Sequence, residues 1–424
     1  MLRLIKRLLS PLFVFAASCA GLILAAGIFA GYYWHGKFGR VVGEVKVAIN
    51  DFRSNPLHLE RKFDHPPGLT YFSEEKDPGF LLLSGYFLDD EKSGVRLVRL
   101  SDGAVLKKWY PDPAAIRAAS SYKRFSNVDR FIANTPLLEP DGGLEFIDGQ
   151  GPLVRIDACS RIEWVADGHY HHSLEHDLDG NLLVPGIVDW QKSQRYPYKF
   201  RNDAIARVSP DGKLIDAVSV ADILFENGLC PLFLASYPGS SDPVHLNDIE
   251  VAETDGNVWK RGDYLVSLRT LHLVFIYRPS TKKIVWHQAG PWVQQHDPDY
   301  LPDGGISVYG NDVLHRNDSD ATLITGHNDI YLADPITHQV ATPFTAVMAK
   351  ANIGSITRGK QRILANGDAF LEESNFGRLA RMSPDGLKWI YYNANEDVAS
   401  VLNWSRYLTA DEVAKADLSR DCSR

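Results

Sequence analysis

Two kinds of hairpin turn alternate along most of this chain, and this alternation limits the fold more than any other feature. One kind, as in LDGNLLVPG (178–186), leads into a strongly apolar strand. The other kind, as in RVSPDGKLIDAV (207–218), joins a strand of alternating pattern to a strand that ends in Trp or Val. Asp-Gly and Asn-Gly turns between short β-branched and aromatic runs are typical of β-hairpins. The pattern therefore predicts a long series of paired hairpins.

The second kind of turn occurs six times at intervals of 50 to 69 residues, near Asp102, Ala158, Asp211, Ser280, Pro335 and Asp385. Six modules of two hairpins each make six four-stranded sheets. Radial repetition of such sheets closes into a β-propeller, which leaves no long edge exposed. We therefore predict an all-β fold, a six-bladed β-propeller over residues 66–400.

The chain after the propeller, residues 401–424, is predicted to form a C-terminal helix and tail. Thr409 and Glu412 have the spacing of a capping box, in which each residue satisfies a backbone N–H of the other at the start of a helix.

The N-terminal region has the sequence of a membrane anchor. Residues 8–34 contain no charged side chain, and these 27 residues are long enough to span a hydrocarbon core of about 30 Å as a helix. We predict a cytoplasmic stub and transmembrane anchor over 1–36, then a helical spacer over 37–65. Because Arg3, Lys6 and Arg7 precede the apolar run, the positive-inside rule places the chain after the anchor outside the cytoplasm, in the periplasm or at the cell exterior. The sequence leaves open whether the anchor is cleaved.

Charge and cysteine content exclude two classes of protein. The formal net charge is −8, and three cations lie in the first seven residues, so the remainder is still more acidic and is not expected to bind nucleic acid. Four cysteines cannot form the framework of a disulfide-rich protein. Cys159, Cys230 and Cys422 are too scattered to predict a disulfide.

Three histidines occupy equivalent positions in consecutive modules. His172 lies seven residues before the turn residue Asp179, and His296 lies seven residues before Asp303. Each therefore stands at the start of an innermost strand, as does His245 in the module between them. Arg269 ends the following second strand and emerges on the same face. The register predicts three imidazoles and one guanidinium at one mouth of the central channel.

This set suits transfer of a sulfuryl or phosphoryl group. Imidazoles supply a nucleophile and a general acid or base near neutral pH, and arginine matches a tetrahedral oxyanion. Histidines in β-loops are also often structural, and the choice of His172 over His171 rests on register alone. Three histidines could bind zinc, but no HExxH or paired-cysteine motif is present and the arginine would repel the cation. We therefore expect no metal and no cofactor.

The same segments resemble the bacterial arylsulfotransferases, which work without a nucleotide sulfate donor. The resemblance covers roughly residues 65–395 and is carried by HHSLEHDLDGNLLVPG, HLNDIEV, GDYLVSLR and QQHDPDY. It implies a six-bladed propeller and ping-pong transfer from a phenolic sulfate donor to a phenolic acceptor through a sulfohistidine. By motif His296 looks like the nucleophile. His245, His172 and Arg269 look like the groups that hold the sulfuryl oxygens and move the proton.

Two other functions remain open from the sequence. One is a metal-dependent hydrolase or lactonase of the six-bladed type, which would use Glu175, Asn247, Asp248 or Asp297 around a cation. The other is a propeller that serves only as a binding platform. The sequence does not identify the natural donor, the acceptor or the oligomeric state.

Overall fold

The structure is a computed structural model that describes residues 58–60, 62–121, 131–188, 200–236, 241–317, 320–420 and 422. The predicted transmembrane helix and the start of the predicted spacer lie outside these residues. Among the helices of the described residues, none has the length and apolar character needed to cross a bilayer. Part of the predicted spacer range is a strand, His58–Glu60, which pairs with Val398–Ser400.

Six antiparallel sheets follow one another along the chain, and we number them as blades 1 to 6. Their strands, given from the innermost outward, have the following bounds. Blade 1 contains Arg406–Leu408, Phe80–Phe87, Lys92–Arg99 and Val105–Trp109; blade 2 contains Ala133–Leu138, Leu144–Asp148, Leu153–Ile156 and Ile162–Ala166; blade 3 contains Glu175–His176, Leu182–Ile187, Asp203–Val208 and Leu214–Ser219. Blade 4 contains Leu246–Val251, Tyr264–Leu268, Leu273–Arg278 and Lys283–Ala289; blade 5 contains His296–Tyr300, Ile306–Gly310, Asp329–Ala333 and Val340–Ala341; blade 6 contains Lys360–Ile363, Ala369–Glu373, Arg378–Ser383, Gly386–Tyr392 and Gly68–Tyr71.

The remaining elements are short and lie between or beside the blades. A hairpin, Val313–Asn317 with Asp320–Leu323, extends from blade 5. Among the described residues, the α-helices are Pro113–Ala119, Val220–Glu226, Cys230–Ser236, Thr345–Lys350 and Ala410–Ala414, and the 3₁₀ turns are Arg269–Leu271 and Ser374–Phe376.

The predicted six-bladed, all-β architecture is confirmed. Each of the six marker turns connects the third strand of a blade to its fourth, as the Asp102 turn does between Lys92–Arg99 and Val105–Trp109. The helix at the C-terminus also forms as predicted. Thr409 and Glu412 make a complete capping box at the start of Ala410–Ala414.

Both ends of the propeller sequence take part in closing the ring. The N-terminal strand Gly68–Tyr71 pairs with the outer strand of blade 6, and Arg406–Leu408 supplies the innermost strand of blade 1. The propeller therefore continues beyond residue 400, into the range that the sequence analysis gave to the C-terminal helix and tail. These two terminal strands cover the edges of blades 6 and 1, which would otherwise be free to pair with another chain.

A buried carboxylate ties the closing strands together. Asp77 accepts hydrogen bonds from Arg381 and Trp389 of blade 6, each at 2.7 Å, and from the Tyr407 hydroxyl of blade 1 at 2.8 Å. Burial alone would raise the pKa of Asp77, but these hydrogen bonds outweigh it and lower the pKa below its ordinary value. The charge is thus held where blades 1 and 6 meet.

The C-terminal tail is tied to blade 2 by a disulfide that the sequence left open, between Cys159 and Cys422, with a Cα–Cα distance of 5.3 Å. The tail returns to blade 2, where the Asp417 N–H donates to the Pro140 carbonyl at 2.8 Å. Gly142 has no room for a Cβ there, since the Asp417 carbonyl oxygen lies against it. Two cysteines 263 residues apart meet because the ring closes, which their spacing alone does not reveal.

Candidate functional site

The three predicted histidines come together at one end of the central channel. His296 begins the inner strand of blade 5, His245 immediately precedes that of blade 4, and His172 lies three residues before that of blade 3. The ring centroids of His172 and His245 are 5.0 Å apart, and those of His172 and His296 are 6.4 Å apart. All three histidines therefore lie where the strand register predicts.

Arg269 joins this group from the turn after the second strand of blade 4. Its backbone N–H donates to the carbonyl of His245 at 3.0 Å, which fixes the two residues side by side. Burial lowers the pKa of the guanidinium, and the nearby Asp242 partly offsets this. The positive charge of Arg269 in turn contributes to lowering the pKa of His296. The structure thus brings a cation to the rings, as predicted.

The backbone around the pore is held in an uncommon conformation. Among the described residues, six non-glycine residues near the starts of inner strands have φ in the left-handed region, with φ between 48° and 65°, namely Thr135, His172, His245, Gln294, Asp297 and Trp404. The inner strands of blades 2, 4 and 5 also carry irregular register. Such positions cost about 1–3 kcal/mol each and concentrate at functional sites, while bulges re-aim side chains.

The protonation of His296 follows from its neighbour Asn311. The amide nitrogen of Asn311 donates to the carbonyls of Ser355 at 3.1 Å and Arg358 at 2.9 Å, so its oxygen faces Nδ1 of His296 at 2.6 Å. Nδ1 must therefore carry the proton, and Nε2 holds a lone pair. Nε2 is buried and has no hydrogen-bond partner among the described residues. Burial, and then the charge of Arg269, lower the pKa of His296 well below its ordinary value.

His245 is paired with a carboxylate. Its Nδ1 lies 2.6 Å from Oδ2 of Asp242, whose other oxygen accepts from the His245 backbone N–H at 3.2 Å. Burial would raise the pKa of Asp242, but the hydrogen bond from His245 and the charges of His245 and Arg201 lower it to about 2. An ionised carboxylate can only accept, so Nδ1 of His245 is the donor and the carboxylate orients the ring. His245 is therefore equipped to accept and return a proton at Nε2.

The structure distinguishes His172 from His171. The ring of His172 packs against the rings of His245, His296 and Trp404, whereas His171 is completely buried behind it. Nδ1 of His171 is 2.7 Å from Nδ1 of His172. His172 is thus the ring that faces the other two predicted histidines, and His171 supports it. Burial, and next the neighbouring His171, lower the pKa of His172 well below its ordinary value.

A small cavity lies against His296, with space for about one water molecule at roughly 10 Å³. The polar side chains that line it are joined by ion pairs and hydrogen bonds. Asp297 forms an ion pair with Lys360 at 2.6 Å, and Asn247 donates to the Gln295 carbonyl at 2.7 Å. Burial, and next the charge of Asp297, raise the pKa of Asp248 well above its ordinary value.

Two of the acidic residues considered for a pore cation, Asp297 and Glu175, are already engaged in ion pairs. Besides the ion pair of Asp297, Glu175 pairs with Arg406 at 2.9 Å. Within the described ranges, one group of side chains has ligand atoms close enough together to hold a metal ion, and it consists of Glu139, Glu145 and His176 away from the three histidine rings. Arg155 contacts both of those carboxylates, at 3.5 and 3.2 Å.

Several residues of the site escaped the sequence analysis. The orienting groups Asn311, Asp242, Arg201 and His171 are polar residues near strand ends, and Trp404 comes from the C-terminal segment. His171 was weighed only as an alternative to His172. The Asp242–His245 spacing of three residues is a local signal that could have suggested a pair. Asn311 follows the strand that pairs with the His296 strand within blade 5, whereas Trp404 is brought to the pore only by ring closure.

Comparisons with known proteins bear on what these groups do. The sequence profile of the arylsulfotransferase (ASST) family matches residues 146–393, more than half of the chain and including His172, His245, Arg269 and His296. Among curated proteins, none matches the sequence.

Solved structures with similar architecture include a protein of unknown function from Bacteroides caccae, with 12% identity and a TM-score of 0.47 over 78% of this chain and 99% of that one. Hydrazine synthase of Kuenenia stuttgartiensis has 13% identity and a TM-score of 0.42 over 74% of this chain and 80% of that one. A streptogramin B lyase has 10% identity and a TM-score of 0.41 over 80% and 86%, respectively. These distant likenesses carry no functional argument. On the family match, the chain belongs to the arylsulfotransferase (ASST) family.

Proposed function

We propose that the protein is an aryl sulfotransferase that moves a sulfuryl group from a phenolic sulfate ester to a phenolic acceptor through a sulfohistidine on His296. The observation that carries this proposal is the buried lone pair on Nε2 of His296, directed away from Asn311 and surrounded by His172, His245 and Arg269. A nucleophile flanked by donors is what transfer of a sulfuryl group requires.

In the first half-reaction, Nε2 of His296 attacks the sulfur and forms an N–S bond while the S–O bond to the aryl group breaks. The departing phenolate takes a proton from the imidazolium of His245, whose other nitrogen is held by Asp242. The proton on Nδ1 of His296 stays in its hydrogen bond to Asn311. Arg269 and the N–H of His172 donate to the sulfuryl oxygens, where negative charge develops.

In the second half-reaction, the acceptor phenol gives its proton to Nε2 of His245, and its oxygen attacks the sulfur. The N–S bond breaks, and its electron pair returns to His296 as the lone pair. The enzyme ends in its starting state, with a new sulfate ester released. Sequential use of one site by donor and acceptor gives ping-pong kinetics.

We also propose that the chain is anchored by residues 8–34 and that its propeller faces the periplasm or cell exterior. The apolar run and the cations before it support the anchor. The Cys159–Cys422 disulfide supports an oxidising compartment, because disulfides are rare in the reducing cytosol. Cell fractionation tests the anchor. Labelling of an engineered surface cysteine with a reagent that cannot cross the membrane tests which side the propeller faces.

The test of the proposed activity uses the full-length protein in detergent with a chromogenic aryl sulfate, with and without a phenolic acceptor. We expect acceptor-dependent release of the donor phenol, and a sulfated form of the protein when acceptor is withheld. His296→Asn should fold and lose both signals. Release that needs added metal and water would favour the hydrolase, and no turnover with several donors would favour a binding platform.

A further inference from the structure

We propose that Arg201 is a positioning residue that sets the protons of two active-site imidazoles, His172 through His171 and His245 through Asp242. The proton assignment rests on hydrogen-bond geometry alone, and its effect on catalysis rests on the proposed function. Arg201 itself contacts none of the reacting groups proposed above.

Arg201 stands just before the third strand of blade 3 and divides its guanidinium among three groups. Nε donates to Oδ1 of Asp203 at 2.7 Å, and Nη2 lies 2.8 Å from Nε2 of His171. Nη1 lies 3.4 Å from Oδ2 of Asp242. Its backbone N–H is fixed as well, by the Ser241 carbonyl at 2.7 Å. The planar fork is thus held in one orientation.

The first branch determines the tautomer of His172. Arginine has only N–H donors and stays protonated in proteins, so Nε2 of His171 must accept from it. A neutral ring that accepts at Nε2 carries its proton on Nδ1. That proton is donated across 2.7 Å to Nδ1 of His172, which must then be the unprotonated nitrogen. The remaining proton of His172 therefore resides on Nε2.

Burial keeps this branch neutral. Desolvation, followed by the charge of Arg201, lowers the pKa of His171 well below its ordinary value. Desolvation and the neighbouring His171 do the same for His172. One competitor is present, because Oδ1 of Asp203 lies 3.5 Å from Nε2 of His171 and would attract a proton placed there. That oxygen already accepts from Nε of Arg201 at the shorter distance of 2.7 Å.

The second branch orients His245. Oδ2 of Asp242 lies 2.6 Å from Nδ1 of His245 and also faces Arg201, so the carboxylate is positioned by the guanidinium while it holds the imidazole. Because Asp242 stays ionised, Nδ1 of His245 is the donor and Nε2 is left to exchange protons with substrate. A single guanidinium thereby makes His172 a donor and leaves His245 free for proton transfer.

The protons can be observed directly in ¹⁵N spectra of the full-length protein labelled at histidine. Protonated and unprotonated ring nitrogens resonate in separate regions, and His172→Asn identifies the His172 signals by difference. We expect Nδ1 of His172 to be unprotonated and Nε2 protonated, with the reverse arrangement in His171. A protonated Nδ1 on His172 would overturn the assignment. This measurement needs no substrate and no variant of Arg201.

The role of Arg201 is tested with Arg201→Lys, which keeps the charge but cannot supply the three-way fork. Arg207→Lys is the matched control, since Arg207 is in the following strand and pairs with Asp216 instead. We expect Arg201→Lys to give a mixture of His172 tautomers and to lower kcat by about 10- to 100-fold, the size of loss typical when a group that orients a metal-ligating histidine is removed. KM for the aryl sulfate should change little, and Arg207→Lys should behave as the wild type.

The outcomes separate this inference from the proposed function. If Arg201→Lys folds and retains both the single His172 tautomer and wild-type kcat, Arg201 has no positioning role. If the wild-type protein shows the expected tautomers and Arg201→Lys disturbs them, but no sulfuryl transfer occurs with any donor, the proton assignment stands and the proposed function fails.

Discussion

Asn311 turns its side-chain oxygen toward Nδ1 of His296, 2.6 Å away, and gives its amide protons to two backbone carbonyls. A neutral acceptor can orient an imidazole without attracting a second proton to it. A carboxylate in the same place would stabilise the imidazolium and remove the lone pair on Nε2. An asparagine at position 311 thus keeps the Nε2 lone pair of His296 available, and this role can be tested.

We expect Asn311→Asp to raise the pKa of His296 from its value well below 6.5, against the opposing charges of Arg269, His245 and Arg358 that face the ring. A group that must be deprotonated to react is active above its pKa, so the acid limb of kcat/KM for the donor should move to higher pH. Asn328→Asp is the control, because Asn328 lies in the same buried network and does not contact His296. An acid limb that stays at the wild-type pH in Asn311→Asp would contradict the prediction.

Arg269→Ala should remove a donor to the developing charge on the sulfuryl oxygens. Loss of one such preorganised donor typically lowers the rate about 10²- to 10³-fold, and we expect a fall of that size in kcat for an aryl sulfate. Arg269→Lys should recover part of it, since an ammonium supplies charge without the fork. Steady-state kinetics measure both.

Arg261→Ala serves as the control for Arg269. Arg261 lies in the loop before the second strand of blade 4, and its side chain donates to the Glu253 carbonyl at the surface. This substitution should leave the kinetics unchanged. A wild-type rate in Arg269→Ala would remove the guanidinium from the proposed mechanism.

Asp77→Asn should weaken closure of the ring. A neutral amide cannot accept from Arg381, Trp389 and Tyr407 together, and breaking a buried ion pair costs about 3–5 kcal/mol. Arg381 keeps a second partner, Asp368 at 2.8 Å, so we expect the lower end of that range. Urea unfolding at neutral pH measures the loss, with the exposed Asp102→Asn as a control expected to leave the unfolding midpoint nearly unchanged.

The same carboxylate predicts a dependence on pH. The folded-state pKa of Asp77 is lower than its ordinary value of 3.8, so its ionised form stabilises the fold above that pH. The contribution is lost as pH falls through the folded pKa. Unfolding free energies measured between neutral pH and the acid range should therefore fall less steeply for Asp77→Asn than for the wild type. Equal slopes would contradict the role assigned to Asp77.

The parts of the molecule that could be predicted are those set by local chemistry. A hairpin turn is encoded by a few adjacent residues. The six marker turns, such as those at Asp102 and Asp211, could therefore be recognised in the sequence, and their number predicted the number of blades. Strand register then placed His245 and His296 at equivalent positions. The orienting groups were not predictable in this way. Asn311 lies in the same hairpin as His296, but a single asparagine at a strand end has no sequence signature of that role.

The way the ring closes also could not be predicted from the sequence. The innermost strand of blade 1 comes from Arg406–Leu408, more than 300 residues after its partner Phe80–Phe87. A three-residue strand has almost no periodicity to recognise. Trp404, two residues before it, reaches the pore for the same reason, and its indole packs beside His172 with ring centroids 5.1 Å apart.

Cys159→Ser should lower the free energy of unfolding by about 2–4 kcal/mol, because the disulfide restricts the unfolded chain and holds the C-terminal tail on blade 2. Since the same C-terminal segment carries Trp404 and the strand Arg406–Leu408, loss of activity on heating should begin at a lower temperature in the variant. Cys230→Ser is the matched control, as Cys230 forms no disulfide. Thermal unfolding of wild type with and without reductant gives an independent check, and identical midpoints under both conditions would show that the crosslink does not secure the closing strand.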